Sequence, residues 1–427
     1  MIREAEETAM GAAAVEANGT VVGILGAAWG AVPDACDIIG TESLLAAVAG
    51  AGGPAGKALD GSGATKAAQL AVIRERVEHD HDCGAVCESG WRSGDDRDAS
   101  VDSAEALGDE DGHPGRRLSG AAARAFTAAA ESARREKRAA YTAEDLLRAL
   151  LSDDGNRAVE TLRTCGITPE RVRARLDGGE PGPDGGGLDA ALWPTRDALL
   201  GRPLPRTRFW RRLMVGLAQE GNLATLPVLW ATWDSREQAR ALGQTEGTEH
   251  IVLALLATYE VVLAHPHMAR EGGADPERRF AGGARLAQQG IDYATVRRAL
   301  ADGPDLGREE RDADHYLDAA EADDDHGTGR LLEALLRDDT RGRRLLESLS
   351  DDDDNDIEDG DEKLESGNEG GSGGGSGSGD RRGSRESSDA ESTDSGGWTE
   401  ATSSVVDLIL VGGAHVGRFV KSLGNAL

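Results

Sequence analysis

The feature that most limits how this chain can fold is a helix start written four times. The segments IIGTESLLAAV (38–48), YTAEDLLRALL (141–151), EGTEHIVLALL (246–256) and HGTGRLLEALL (326–336) share one plan. A Thr comes first, an acid usually follows within two residues, and an apolar pair then leads to a third apolar site one turn on. That order predicts a helix with Thr as N-cap, Glu in the first turn at the positive end of the dipole, and a buried face behind it. Each Thr (41, 142, 248 and 328) stands 23 residues after another capping type: Asn18, Ser119, Thr225 and Asp305. The unit ends repeat as well. GITPERVRARL (166–176) and GIDYATVRRAL (290–300) place a Gly two residues before a capping Thr or Asp. GATKAAQLAVI (63–73) is a weaker version, and unit four stops at RRLLESL (343–349) without one. One unit therefore reads as a long helix, a turn, a Thr-capped helix, a short helix and a Gly-started closing helix. A lone unit of that size buries too little to be stable, so two domains from four units are expected. The expected fold class is all-α, because apolar sites recur at i, i+3 and i+4 and β-branched alternation is nearly absent.

Composition decides what lies between the units. Residues 351–397 hold 16 acidic and 4 basic side chains, so −12 of the net charge of −30 sits there, beside a Gly/Ser tract at 370–379. Such a stretch buries too little apolar surface to offset its ordering entropy and is expected to be a disordered acidic linker. The stretches 88–117 and 177–206 read the same way on a smaller scale. A charge of −30 excludes a general nucleic-acid binder, which must neutralise phosphates with excess Lys and Arg. Four cysteines are too few for a disulfide scaffold. No basic signal segment and no run of 18 apolar residues is visible, so a cytoplasmic protein is expected.

The repeats resemble the amino-terminal domain of the Clp unfoldases, an all-helical domain made of two such units. The resemblance is carried by GTESLLAAV with GKAL, by TAEDLLRALL with RAVETLRTCGITPERVRARL, and by GTEHIVLALL with LAQQGIDYATVRRAL. It implies a Clp-N-like domain over 1–178, with repeats at about 18–87 and 118–178 around the insert 88–117. A second domain covers 206–350, with repeats at 206–303 and a degenerate 305–350. The linker 351–397 and a tail helix over 398–427 follow. In the family this domain precedes ATPase modules and passes unfolded segments, degrons or adaptors to them. Here no motor is expected. The nearest match to a phosphate-binding loop, GAGGPAGKA (50–58), has the wrong Gly spacing and Ala58 in place of the hydroxyl. It reads as a Gly-rich turn. The implied function is a non-enzymatic binding protein without cofactor. Its implied partners are protein substrates or adaptors, with a Clp ATPase among the candidates. The alternative is a helical scaffold unrelated to proteolysis.

Some family members bind phosphorylated arginine, and the resemblance implies where. A carboxylate matches a guanidinium, and a helix N-terminus favours a phosphate. By position the acids are Glu42, Glu144 and Glu249. Each is paired with the start of its own repeat's first helix, at Asn18, Ser119 and Thr225. Glu144 is offset by one residue from Thr142, and unit four has no acid. The competing reading is that these acids only stabilise helix N-termini. Zinc-type ligands occur at His79, His81, Cys83 and Cys87, but four in nine residues are too crowded for the usual split pairs, and no metal is expected. His265 and His267 read as loop residues, and Cys165 as a small buried apolar residue. No nucleophile–base constellation stands out.

After the linker, SSVVDLILVGGAHVGRFVKSL (403–423) regains amphipathic periodicity, weakened by about 1 kcal/mol at each of Gly412 and Gly413. It reads as a docking helix for a partner groove, or as a segment that folds back. A membrane surface is less favoured, since only Arg418, Lys421 and His415 would attract anionic lipid.

Overall fold

The computed structural model describes residues 15–32, 38–82, 91–95, 99–104, 117–179, 188–202, 222–271, 275–321 and 327–358. The rest of the expected linker (359–397) and the tail (398–427) lie outside the described residues. The fold is helical, as the periodicity predicts. Unit one contributes α1 (Gly19–Gly30), α2 (Thr41–Gly50), α3 (Gly53–Ser62) and α4 (Lys66–Asp82). Unit two contributes α5 (Gly120–Arg135), α6 (Ala143–Ser152), α7 (Arg157–Thr164) and α8 (Pro169–Leu176). A short α9 (Trp193–Leu199) precedes unit three, which holds α10 (Pro227–Leu242), α11 (Thr248–Ala264), α12 (Pro266–Ala269), α13 (Pro276–Arg279), α14 (Ala281–Gln288) and α15 (Tyr293–Ala301). Unit four is α16 (Ala313–Glu321), α17 (Thr328–Arg337) and α18 (Arg341–Glu358). Among the described residues no helix is long and apolar enough to cross a membrane.

The closing helices start where the sequence places them. Gly63, Gly166 and Gly290 all have positive φ (95°, 74° and 81°), which a residue with a Cβ rarely adopts. Two residues later Thr65, Thr168 and Asp292 accept from the backbone N–H groups of Ala68, Arg171 and Thr295, capping α4, α8 and α15.

Among the described residues, two parallel pairs of two-residue strands tie units one and two crosswise. β1 (Glu16–Ala17), which leads into α1, pairs in parallel with β5 (Ala140–Tyr141), which leads into α6. β2 (Ile38–Ile39), which leads into α2, pairs in parallel with β4 (Arg117–Leu118), which leads into α5. β3 (Val101–Asp102) runs antiparallel on the other side of β4. Each unit's first helix is thus moored to the second helix of the other.

Residues up to Leu349 form one compact unit. Its apolar side chains gather into two main cores and a small one. The first joins Val21, Ile24, Leu44, Leu45, Phe126, Tyr141, Leu146 and Leu150, among others from units one and two. The second joins Trp230, Ile251, Leu255, Phe280, Leu317, Leu331 and Leu345 from units three and four. Helix α4 serves both sides of this division. Ala68 and Ala71 belong to the second core, while Leu70, Val72 and Ile73 pack with Ala46 and Trp91 in the small one. Arg74 on α4 also pairs with Glu271 at 3.1 Å, and Arg202 donates to the Asp60 carbonyl at 2.7 Å.

Several expectations need correction. Part of the 88–117 insert is built into the fold: Trp91 and Asp95 are 7% and 2% exposed, because Trp91 completes the small core and Asp95 meets buried donors. Part of 177–206 is likewise ordered, as α9 with Leu199 and Leu200 buried. The linker does not begin at 351, since α18 continues to Glu358 from a stretch anchored by Leu345 and Leu346. His267 is not a loop residue but lies buried on α12, where desolvation pushes its pKa down to about 3. Cys165, expected as a small buried apolar residue, is partly buried against the apolar clusters, and desolvation pushes its thiol up to about 12.

One charge sits deep in the second core. Asp234 on α10 accepts from Thr195 Oγ1 at 2.6 Å and Gln238 Nε2 at 3.2 Å, and burial pushes its pKa up to about 7. The folded state therefore holds this proton more tightly than the unfolded chain. Stability should be greatest below about pH 4 as far as this group is concerned, and fall as pH rises through about 7. Asp234→Asn is expected to remove that slope, by a few kcal/mol across the window, in urea unfolding at pH 5 and pH 8. Close packing of α11 and α14 gives a second expectation. A Cβ on Gly283 would stand 2.5 Å from the Leu255 carbonyl oxygen, so Gly283→Ala should cost about 2 kcal/mol or more in the same assay.

Candidate functional site at the repeat starts

The four repeat starts superimpose in helix position. Gly40, Thr142, Gly247 and Gly327 are the N-caps of α2, α6, α11 and α17. Thr is therefore the cap only in unit two; in the other units Thr41, Thr248 and Thr328 are the first helical residues. This also resolves the offset of Glu144. Glu42, Glu144 and Glu249 all occupy the second helical position, and unit four has Gly329 there.

The displaced Thr hydroxyls reach across to the paired unit. Thr41 Oγ1 accepts from Ala158 N on α7 at 3.1 Å. Thr248 Oγ1 accepts from Gly342 N on α18 at 2.9 Å, and Thr328 Oγ1 from Gly282 N on α14 at 3.0 Å. Each donor is the second residue of its helix, an orphan N–H that the helix itself cannot satisfy. Small residues stand there because the backbones touch: a Cβ on Gly342 would lie 2.9 Å from the Thr248 carbonyl oxygen.

The carboxylates of units one and three are enclosed. Glu42 is 3% exposed and Glu249 fully buried. Each folds back over its capping glycine, so that a Cβ on Gly247 would stand 2.5 Å from Glu249 Oε2. Each also faces an arginine that opens the partner helix. Glu42 lies 3.9 Å from Arg157, and Glu249 lies 2.8 Å from Arg341. In unit three His250 Nδ1 accepts from Gly247 N at 3.2 Å, which leaves Nε2 to donate to Gln244 Oε1 at 3.0 Å. In unit four the pair is replaced by small residues: a Cβ on Gly329 would meet Ala281 Cβ at 3.2 Å.

A second carboxylate completes each enclosed start. Asp95 accepts from Thr41 N at 2.7 Å, Thr41 Oγ1 at 2.8 Å, Ser119 Oγ at 3.0 Å and Arg157 N at 3.4 Å. Glu309 accepts from Arg341 N at 2.9 Å and Thr248 N at 3.4 Å, and also from the Thr248 hydroxyl.

Unit two differs. Thr142 caps α6 jointly with Asp145, which accepts from Thr142 N at 2.8 Å. Thr142 stands where units one and three have a capping glycine, and Glu144 is half-buried. It lines a cavity of 440 Å³ with Ser132, Glu136, Arg138, Thr142, Asp145 and Arg148. Asp145 grips Arg138 through two bonds of 2.7 Å, and that guanidinium with the Thr142 donors holds its carboxyl below the usual range against the opposing effect of burial.

The expected cap partners are exchanged. Asn18 and Ser119 cap α1 and α5, accepting from Val21 N at 2.9 Å and Ala122 N at 3.2 Å. Asn18 N, however, donates to the Tyr141 carbonyl beside α6, and Ser119 N to the Ile39 carbonyl beside α2. Each cap is thus bonded to the strand that leads into the other unit's second helix. Thr225 is not a cap: it ends a 3₁₀ turn, Leu223–Thr225, whose cap is Asn222, while α10 begins with Pro227. Asp305 is also outside a helix start; Asp312 accepts from His315 N before α16. His79 and His81 fall in α4, and Cys83 and Cys87 lie outside the described residues. Among the described residues no group of three His, Cys, Asp or Glu is placed to hold a metal.

Residues 117–181, which contain β4 and α5–α8, match the Clp repeat (R) N-terminal domain family. No curated protein and no solved structure matches the chain.

The enclosed pairs have an asymmetry that can be measured. Arg341→Met strands Glu249 in the interior, at an expected cost of about 3 kcal/mol or more. Glu249→Gln leaves a part-exposed arginine that water can solvate, and should cost clearly less. The double variant should recover much of the loss in a denaturation cycle.

Proposed function

We propose that the chain is a non-enzymatic protein-binding module of a Clp-type unfoldase or protease system, recognising protein segments, degrons or adaptors. The observation that carries this reading is the Clp repeat at 117–181, set in a fold that repeats its plan in the neighbouring units. The half-buried Glu144 supports unit two as the place where a partner side chain engages, since Glu42 and Glu249 already hold internal arginines. An adaptor, or a decoy that competes for adaptors, fits a chain of this kind.

The enclosure of Glu42 and Glu249 favours a second reading, in which the repeats are scaffold and serve a regulatory interaction unrelated to proteolysis. Binding to a permanently unfolded model protein, with and without phosphorylated arginines, separates the two. On the first reading the wild type binds and Glu144→Ala weakens binding about tenfold, while Glu249→Gln changes stability more than affinity. Absence of binding by the wild type to either form would leave the scaffold reading.

A further inference from the structure

We propose that α12 is an acid-sensitive latch: protonation of His265 and His267 releases it from α4 and opens the seam between the two halves of the fold. The inference does not rest on the partner reading above.

Helix α4 enters the second core through Ala68 and Ala71, and α12 packs directly on it. One arginine from each half pins the contact. Arg74 pairs with Glu271 at 3.1 Å, and Arg202 donates to the Asp60 carbonyl at 2.7 Å. Two imidazoles stand in this contact, with ring centroids 5.9 Å apart, edge to face. His267 is 5% exposed, and its Nε2 has no hydrogen-bond partner among the described residues. A neutral ring can leave its bare nitrogen there. An imidazolium would bury an N–H without an acceptor.

The surrounding charges offer an imidazolium no relief. Beside α12 stand Arg270 and Glu271, and Glu271 is taken by Arg74 and Asn222 Nδ2. From α9 and the residues after it come Arg196, Arg202 and Asp197. Asp197 already meets both arginines, at 2.8 and 3.2 Å. Arg279 donates to the Ala269 carbonyl. On α4, Glu75 lies 3.5 Å from Arg76, and on α11 Glu260 accepts from Tyr293 N at 2.8 Å. The 3₁₀ turn Leu223–Thr225 is uncharged.

Desolvation, then Arg196 and Arg202, push His265 down to about 4 against the pull of Asp197. Desolvation, then His265 and Arg270, push His267 down to about 3. An opened seam returns both towards about 6.5, so it binds these protons more readily than the closed one. The latch therefore has full strength above about pH 6.5 and weakens as pH falls towards 4. Asp234 acts with the opposite sign, so the readout has to be local to α12.

Hydrogen exchange read by mass spectrometry, corrected for the intrinsic rate at each pH, follows the opening in peptides covering 66–76 and 266–271. Between pH 7 and pH 5 protection there should fall at least about tenfold, while 143–152 in the first core holds. In the His265→Gln/His267→Gln double variant the fall should shrink to under about threefold. The proposal is overturned if the wild type shows no local fall, if 143–152 falls equally, or if the double variant keeps the full fall. Should the double variant not fold, the two single variants decide: a smaller fall in each supports the latch, and an unchanged fall in either overturns it.

Discussion

The fold depends on one kind of hydrogen bond, from an orphan helix N–H of one repeat to a threonine hydroxyl of its partner. A helix start exposes donors that its own turns cannot reach. Here Thr41, Thr248 and Thr328 each take one of those donors from a neighbouring helix, on Ala158, Gly342 and Gly282. The residues around them follow from this contact. Glycine precedes Thr41 and Thr248 because the acid after each lies against its Cα. A small residue sits on the opposing helix because the backbones meet. The first residue of that helix is an arginine wherever the acid needs a counter-charge. Units three and four satisfy the relation in both directions, which makes each the other's cap.

Much of this was legible in the chain. The four helix starts, the Gly-then-cap closing helices and the helical class follow from local chemistry that a sequence states directly. The roles of the motif residues were less legible. Thr looks like a cap because capping is the commonest use of Thr before a helix, yet the glycine before it does that work. The acids look like solvent-facing dipole partners, yet two of the three are enclosed. A local signal for this existed in Asn156-Arg157-Ala158 and Thr340-Arg341-Gly342, where a cap, an arginine and a small residue recur. Asp95 was hidden by its surroundings: an acidic, Gly-rich stretch gives no sign that one of its carboxylates is buried. Partner exchange between the units was also invisible, because nothing in one unit says which copy its cap will meet.

Charge has two separate meanings in this protein. Of the net value of −30, −12 sits in residues 351–397, a property of composition. The charges that shape the fold are satisfied in two ways: Asp95 and Glu309 by backbone N–H groups and hydroxyls at helix starts, Glu249 and Asp145 by Arg341 and Arg138. Asp234 is held by two neutral side chains, and burial raises its pKa, so it carries pH sensitivity in the second core.

Cys165 lies at the end of α7, and all three apolar clusters touch it. A thiol with that address is a built-in clock. Alkylation needs the sulfur to meet solvent, and no single cluster can part without loosening its cover. The rate at which a thiol reagent labels it therefore measures the cheapest opening anywhere along the junction of the two halves, with no probe added to the chain.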